Sequence, residues 1–137
     1  MKLYISPEKT IQEVQKAFQA EYPYLQLSFF TQPHRAFKGS PASYLVKDTS
    51  ITLGTLMAEP KSGFVELPPT MPTFEAEALL EKTFGLYVQI MRKSGDTWLV
   101  TSTTDRLTLA EQNARGRASE HPNFLPQDEE FDYREQE

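Results

Sequence analysis

The clearest structural signals lie in residues 73–101, which read TFEAEALLEKTFGLYVQIMRKSGDTWLVT. Thr73 can cap a helix, and Gly85 stands just after its last turn, where a left-handed backbone favours glycine. Beyond Gly85, apolar and polar residues alternate, as in a strand with one buried face. Ser94-Gly95-Asp96 predicts a tight turn, and residues 97–101 return as an antiparallel strand. The stretch therefore predicts a helix followed by a β-hairpin.

The first 30 residues carry a similar helix signal. Thr10 and Glu13 form a capping box, in which each side chain can bond the backbone amide of the other residue. Apolar residues then follow at helical spacing, namely Ile11, Val14, Phe18 and Tyr22. Residues 3–5 suit a short strand, and residues 24–30 alternate with period two. We therefore predict strand, helix and strand, a βαβ unit, over residues 2–30.

The two halves of the chain show the same order of signals. Tyr22 and Phe84 each end a helix shortly before a leucine that starts a strand, at an offset that drifts between 61 and 63 residues. Either one unit was duplicated, or both halves use the same helix-to-strand arrangement independently. The loose match between the helix stripes favours the second explanation. A longer repeat array is not expected, because such arrays need three or more units.

The middle of the chain gives weaker signals. Residues 31–43 contain prolines and a glycine without a regular period, which predicts a long loop. Residues 44–46 and 51–53 are strand-like, although 56–57 also permits a short helical turn, and 64–67 is a strand that prolines end. The sequence thus predicts an α+β fold, with two main helices on one face of a mixed five- or six-stranded sheet.

Length and charge indicate the domain organisation. The chain has 137 residues and a formal net charge of −5, which fits one domain. Residues 118–137 hold seven acids and one base, whereas residues 1–117 hold 12 acids and 13 bases. We predict a single domain over 1–114 and a flexible acidic tail over 115–137. Nucleic-acid binding is disfavoured, because it depends on a clustered basic face.

The composition excludes several chemistries. Without cysteine the chain can form no disulfide, no thiolate nucleophile and no cysteine-based metal site. His34 and His121 stand 87 positions apart, so we expect no metal and no cofactor. No signal-peptide run opens the chain, and no window approaches the roughly 20 apolar residues of a membrane span. We therefore expect a cytoplasmic protein that does not bind membranes.

A second capping box, Thr108 to Glu111, follows the hairpin. The order of strand, helix, tight hairpin and Thr-Leu turn over 63–113 resembles the second half of a ubiquitin-like β-grasp domain, whose turn reads Thr-Leu-x-x-Tyr-Asn. Gln112 stands where that family has tyrosine, and a short helix is expected to end near Asn113. The resemblance implies a β-grasp-like C-terminal half. Covalent conjugation is not expected, because the family's Gly-Gly end is missing.

Trp98, with Arg92 and Lys93 before the hairpin turn, forms the first candidate binding site. Together with Phe84-Gly85-Leu86, these residues make a pattern similar to that of small bacterial proteins of uncharacterised function, which implies no activity. If Trp98 packs on a helix, it belongs to the core. On the open face, beside Arg92 and Lys93, it would form an aromatic–cationic anchor for a partner. We expect Met91 or Arg92 opposite Trp98, depending on the register.

The long loop holds the second candidate site. His34 and Arg35, with Lys38 nearby, can bind a carboxylate or phosphate, although a solvated loop explains them as well. His34 and Arg35 define an alternative function together with Asp105. The protein would then be a small-ligand-binding protein or an enzyme that uses the 31–43 loop and the sheet edge.

Catalytic motifs are missing from the sequence. The hydroxyl-rich run 101–105 has no histidine nearby and no nucleophile elbow, and the scattered glycines form no nucleotide-binding loop. Glu77 and Glu81 lie one turn apart on a helix, where solvation explains them. We therefore expect a non-enzymatic protein-interaction or adaptor domain, with another protein as its partner. The sequence leaves its pathway and oligomeric state open.

Overall fold

The computed structural model describes residues 1–33 and 42–120, and within them the chain forms three α-helices and five strands. The strands are β1 (Lys2–Ile5), β2 (Leu25–Phe30), β3 (Gly63–Glu66), β4 (Tyr87–Ser94) and β5 (Thr97–Val100). The helices are α1 (Ile11–Glu21), α2 (Thr73–Phe84) and α3 (Leu109–Ser119). The predicted α+β class is confirmed.

The strands form two antiparallel sheets, which differ from the single mixed sheet expected from the sequence. β1 pairs with β3, with Leu3 opposite Val65. β2 pairs with β4, and β4 pairs with β5 on its other side. Alternation of apolar residues indicates which face of a strand is buried, but it does not identify the neighbouring strand. The strands of the predicted βαβ unit therefore lie in different sheets.

One hydrophobic core joins both sheets to α1 and α2. Phe18 from α1 and Leu80 from α2 are completely buried, and both belong to the same cluster as the inner faces of the sheets. The hydroxyl of Tyr22 donates a hydrogen bond of 2.7 Å to the Leu67 carbonyl, which ties the end of α1 to the residue after β3. The halves of the chain therefore share their packing.

The helix ends follow the sequence signals closely. The capping boxes at Thr10 and Thr108 both form, and Gly85 ends α2 with a left-handed φ of 68°. Thr73 differs from its expected role, because it is the first residue of α2 and Pro72 is the cap. The Thr73 hydroxyl instead donates to the Leu107 carbonyl at 2.8 Å. This bond fixes α2 against the segment that leads into α3.

Three segments differ from the sequence predictions. Residues 42–44 and 53–55 are single turns of 3-10 helix, and of the strand-like run 44–46 only Leu45 makes an isolated β-bridge, to Phe30. Thr52 precedes the second turn in an extended conformation, so the chain turns where a strand was expected. Helix α3 passes its expected end and reaches Ser119, beyond the expected domain boundary at 114.

Four pairs of backbone hydrogen bonds recur in the two halves. Ile11 N–H donates to the Ile51 carbonyl, and Thr73 N–H donates to the Leu107 carbonyl in the same way. The remaining pairs are Gln12 to Thr49 with Phe74 to Asp105, Leu53 to Lys9 with Leu109 to Met71, and Gly54 to Pro7 with Ala110 to Pro69. Every pair keeps the same two sequence offsets. The halves are therefore structurally equivalent, which supports a duplicated unit.

Phe18→Ala and Leu80→Ala should each lower the free energy of unfolding by about 2–5 kcal/mol, because each leaves a cavity in the shared core. Lys16→Ala and Lys82→Ala, at exposed positions of the same helices, should stay within about 0.5 kcal/mol of the wild type. Urea unfolding followed by circular dichroism measures these differences. Two separate transitions in either core variant would contradict a shared core.

Candidate interaction site

The β4–β5 hairpin places Trp98 opposite Lys93. The Lys93 Nζ atom lies 5.2 Å from the centroid of the Trp98 ring, and both side chains are half-buried. This is a cation–π contact. The expected register, with Met91 or Arg92 opposite the tryptophan, is wrong. Ser94 pairs directly with Thr97, so the turn contains only two residues and brings Lys93 into line.

Arg92 lies on the other face of the sheet, because neighbours along a strand alternate in direction. Its side chain is 3% exposed, and its Nη1 atom donates to the Gln112 Oε1 atom at 3.0 Å. The Gln112 amide in turn donates to the Thr104 carbonyl at 2.7 Å. Arg92 therefore ties β4 to α3 and to the loop before it. The sequence led us to expect both Arg92 and Lys93 beside Trp98. Of these two, the structure places Lys93 against the Trp98 ring and Arg92 on the other face.

The loop candidates cannot be placed in the same way. His34 and Arg35, together with Lys38, lie outside the described residues. Asp105, the third residue of the alternative ligand site, is 9% exposed, and its backbone carbonyl accepts from Phe74 N–H. Its carboxyl group is thus sheltered at the start of α2 and does not line an open surface.

Glu77 is a buried carboxyl group that the sequence analysis placed among solvated acids. It is 6% exposed, and its Oε2 atom accepts from the backbone N–H of Ile90 at 2.8 Å, beyond the end of β5. Burial raises the pKa of Glu77 to about 8, the Ile90 hydrogen bond lowers it, and the charge of Asp105 raises it further. A signal existed in the sequence, because Glu77 stands three and seven residues before Leu80 and Phe84, on the same helix face.

Folding stability should depend on the ionisation of Glu77. A carboxyl whose pKa rises on folding, here from 4.5 to about 8, favours the folded state below pH 4.5 and loses that advantage as the pH rises to about 8. Glu77→Gln keeps an acceptor for Ile90 N–H and cannot ionise. The free energy of unfolding should fall between pH 5 and pH 9 in the wild type, and this fall should be smaller in Glu77→Gln by at least about 2 kcal/mol.

Chemical unfolding at the two pH values measures this difference. Glu81→Gln, at an exposed position one turn later, is the control for the change in net charge. The same pH dependence in the wild type and in Glu77→Gln would show that Glu77 is ionised in the folded protein throughout.

Helix α3 packs unusually close to the backbone at the end of α1. Gly116 is buried, and a Cβ atom at this position would lie 2.7 Å from the Tyr24 Cβ atom and 3.1 Å from the Tyr24 carbonyl oxygen. The Asn113 Oδ1 atom accepts from Tyr24 N–H at 2.8 Å, and Ser119 bonds the Lys93 carbonyl and Gly95 N–H. These contacts fix the second half of α3 against β4, the β4–β5 turn and the residue before β2.

Gly116→Ala should destabilise the protein by about 1–3 kcal/mol, because the new methyl group overlaps atoms that are fixed by the backbone. The helix propensity of alanine alone would act in the opposite direction, by about 1 kcal/mol. Thermal unfolding measures the sum of the two effects. Ala17→Gly, at an exposed position in the middle of α1, calibrates the propensity effect alone. An unfolding midpoint at or above that of the wild type would mean that α3 packs less tightly than described.

A groove of about 730 Å³ runs between α3 and the end of α1. Ala110, Ala114 and Ala118 line it from the helix, while Tyr22 and Pro69 form the opposite wall. Arg117 and Glu21 also line the groove and bring one charge of each sign. This feature was not predicted, because the helix was expected to end near Asn113, before most of these positions.

The outer face of the β1–β3 pair carries two exposed aromatic side chains in contact. Phe64 is 67% exposed and Tyr4 is 40% exposed, and their ring centroids are 5.0 Å apart. The two residues pair directly across the strands, with Lys2 opposite Glu66 beside them. The Lys9 Nζ atom lies 5.9 Å from the Tyr4 ring centroid. We call Lys2, Tyr4, Phe64 and Glu66 the aromatic face.

Within the described part of the chain, no group of three or more histidine, aspartate or glutamate side chains is arranged to hold a metal ion. None of the helices in residues 1–33 and 42–120 is long and apolar enough to cross a bilayer. Comparison with protein-family models, curated proteins and solved structures finds no match. The function therefore has to be argued from the surfaces of the chain itself.

Proposed function

We propose that this protein is a non-enzymatic protein-interaction domain whose partner binds the aromatic face. The observation that carries the proposal is Phe64, which is 67% exposed and in tilted ring contact with Tyr4. Folding does not explain these side chains, because Leu3 and Val65 already fill the inner face of the same strands. Single exposed apolar residues are ordinary on protein surfaces, but paired large aromatics concentrate where partners bind.

The surroundings of the two rings also suit a protein partner. Interfaces typically have an apolar or aromatic centre and a polar rim. Here Lys2, Glu66 and Lys9 provide charges of both signs around the rings. The face lies on the outer side of a strand pair, whereas small ligands are usually enclosed by concave pockets. These features favour an adaptor over a small-ligand-binding protein.

Two further expectations are part of this proposal. Trp98 and Lys93 form a second aromatic–cationic contact at the hairpin, which we propose as an additional binding element. The ubiquitin-like resemblance over 63–113 also stays a proposal, because the order of β3, α2, the hairpin and the capped start of α3 matches it, while β3 and the hairpin lie in different sheets. The β-grasp comparison supports no particular partner, because one fold carries many functions.

Phe64→Ser should remove partner binding without unfolding the protein. Loss of an aromatic hot spot costs about 2 kcal/mol or more, which weakens binding by roughly thirtyfold. Wild type and variant, immobilised at equal density, would each be exposed to native lysate from the source organism. Quantitative mass spectrometry would then compare the retained proteins. At least one protein should be strongly depleted on Phe64→Ser.

Phe74→Ser is the matched control, because Phe74 is 44% exposed and lies on α2. It should retain the same proteins as the wild type. Equal retention by wild type and by Phe64→Ser would reject the aromatic face as the binding site.

A further inference from the structure

The groove beside α3 is a concave surface, separate from the aromatic face. Its volume is about 730 Å³, and Tyr22 and Pro69 form one wall. The helix side presents methyl groups at Ala110, Ala114 and Ala118. Ala110 and Ala114 are exposed, whereas the opposite side of the helix is packed against the body. An extended segment can therefore approach α3 closely at this face.

The course of the chain indicates what occupies the groove. Helix α3 ends at Ser119, one residue after the groove-lining Ala118. Pro122 has no backbone N–H and cannot continue a helix. Phe124 lies four positions after Glu120, and four positions of extended chain can span up to about 14 Å. The rise from Glu120 back to Ala114 is about 9 Å, so Phe124 can reach the middle of the groove.

The sequence after α3 matches the groove in chemistry. Residues 121–127 read HPNFLPQ, with no acid, lysine or arginine and with two large apolar side chains. The groove is mostly apolar and has Glu21 on one wall, which would repel an acidic segment. The acids begin at Asp128, after the apolar pair. Arg117 also lines the groove and balances the charge of Glu21.

We propose that residues 121–137 of the same chain bind in the groove beside α3, with Phe124 and Leu125 as its anchors. Large apolar side chains between prolines lose little conformational freedom when they dock. The acidic residues that follow Leu125 then extend past the groove into solvent.

Paramagnetic relaxation in the full chain tests this proposal. The protein has no cysteine, so Gln127→Cys provides a unique attachment point for a nitroxide spin label. The informative amide signals are those of Tyr22 and Ala110, since residues near Ala118 are close to the label in any case. Tyr22 and Ala110 should lose most of their intensity, and they should recover it in the variant with Phe124→Ser and Leu125→Ser.

Ala114→Glu should also restore both signals, because it fills the groove and adds a charge that repels the acids. Ala78→Glu makes the same change at an exposed position of α2 and should leave the broadening intact. Unbroadened signals at Tyr22 and Ala110 in the spin-labelled parent would overturn the proposal. A second sample would mix isotope-labelled protein without the spin label and spin-labelled protein without the isotope. Broadening of Tyr22 and Ala110 in that mixture would also overturn the proposal, because the occupant would then be a second copy.

Discussion

Each sheet in this protein needs one strand from each half of the chain. β1 is completed by β3, and β2 is completed by β4. A two-stranded ribbon is marginal alone in water, and it becomes stable when a helix covers its apolar face. The shared core supplies that cover through α1 and α2. Neither half can satisfy its backbone hydrogen bonds or bury its strands without the other, so pairing between halves is the condition for the whole fold.

The equivalent segments of the two halves also differ in detail. Gln15 and Glu77 stand at corresponding positions and both bond the edge of a strand, but with opposite polarity. Gln15 donates to the Leu27 carbonyl, and Glu77 accepts from Ile90 N–H. After the shared Thr-Leu turn, the first half makes one 3-10 turn and the second makes α3. The α3 wall of the groove therefore has no counterpart in the first half.

Sequence reasoning identified local features well and non-local ones poorly. The capping boxes at Thr10 and Thr108 and the glycine end at Gly85 depend on neighbours within four residues, so the sequence contains them completely. Strand partners depend on loop paths, and the alternation in β1 fits either a parallel or an antiparallel neighbour. Helix α3 was predicted too short because the residues from 115 onwards show no regular apolar period. The buried Gly116 within it is explained by the close approach of Tyr24, which is distant in sequence.

The pairing between halves has a consequence during synthesis. When the ribosome has finished β2, it has produced β1, α1 and β2. The strands that pair with β1 and β2 are still untranslated, since β3 begins at Gly63 and β4 at Tyr87. Contacts between residues far apart in sequence form slowly, and unpaired strand edges can attract other chains. Folding of the nascent chain must therefore wait until most of the hairpin has left the exit tunnel. Until then the apolar faces of β1 and β2 are exposed, and they are surfaces that a chaperone can bind.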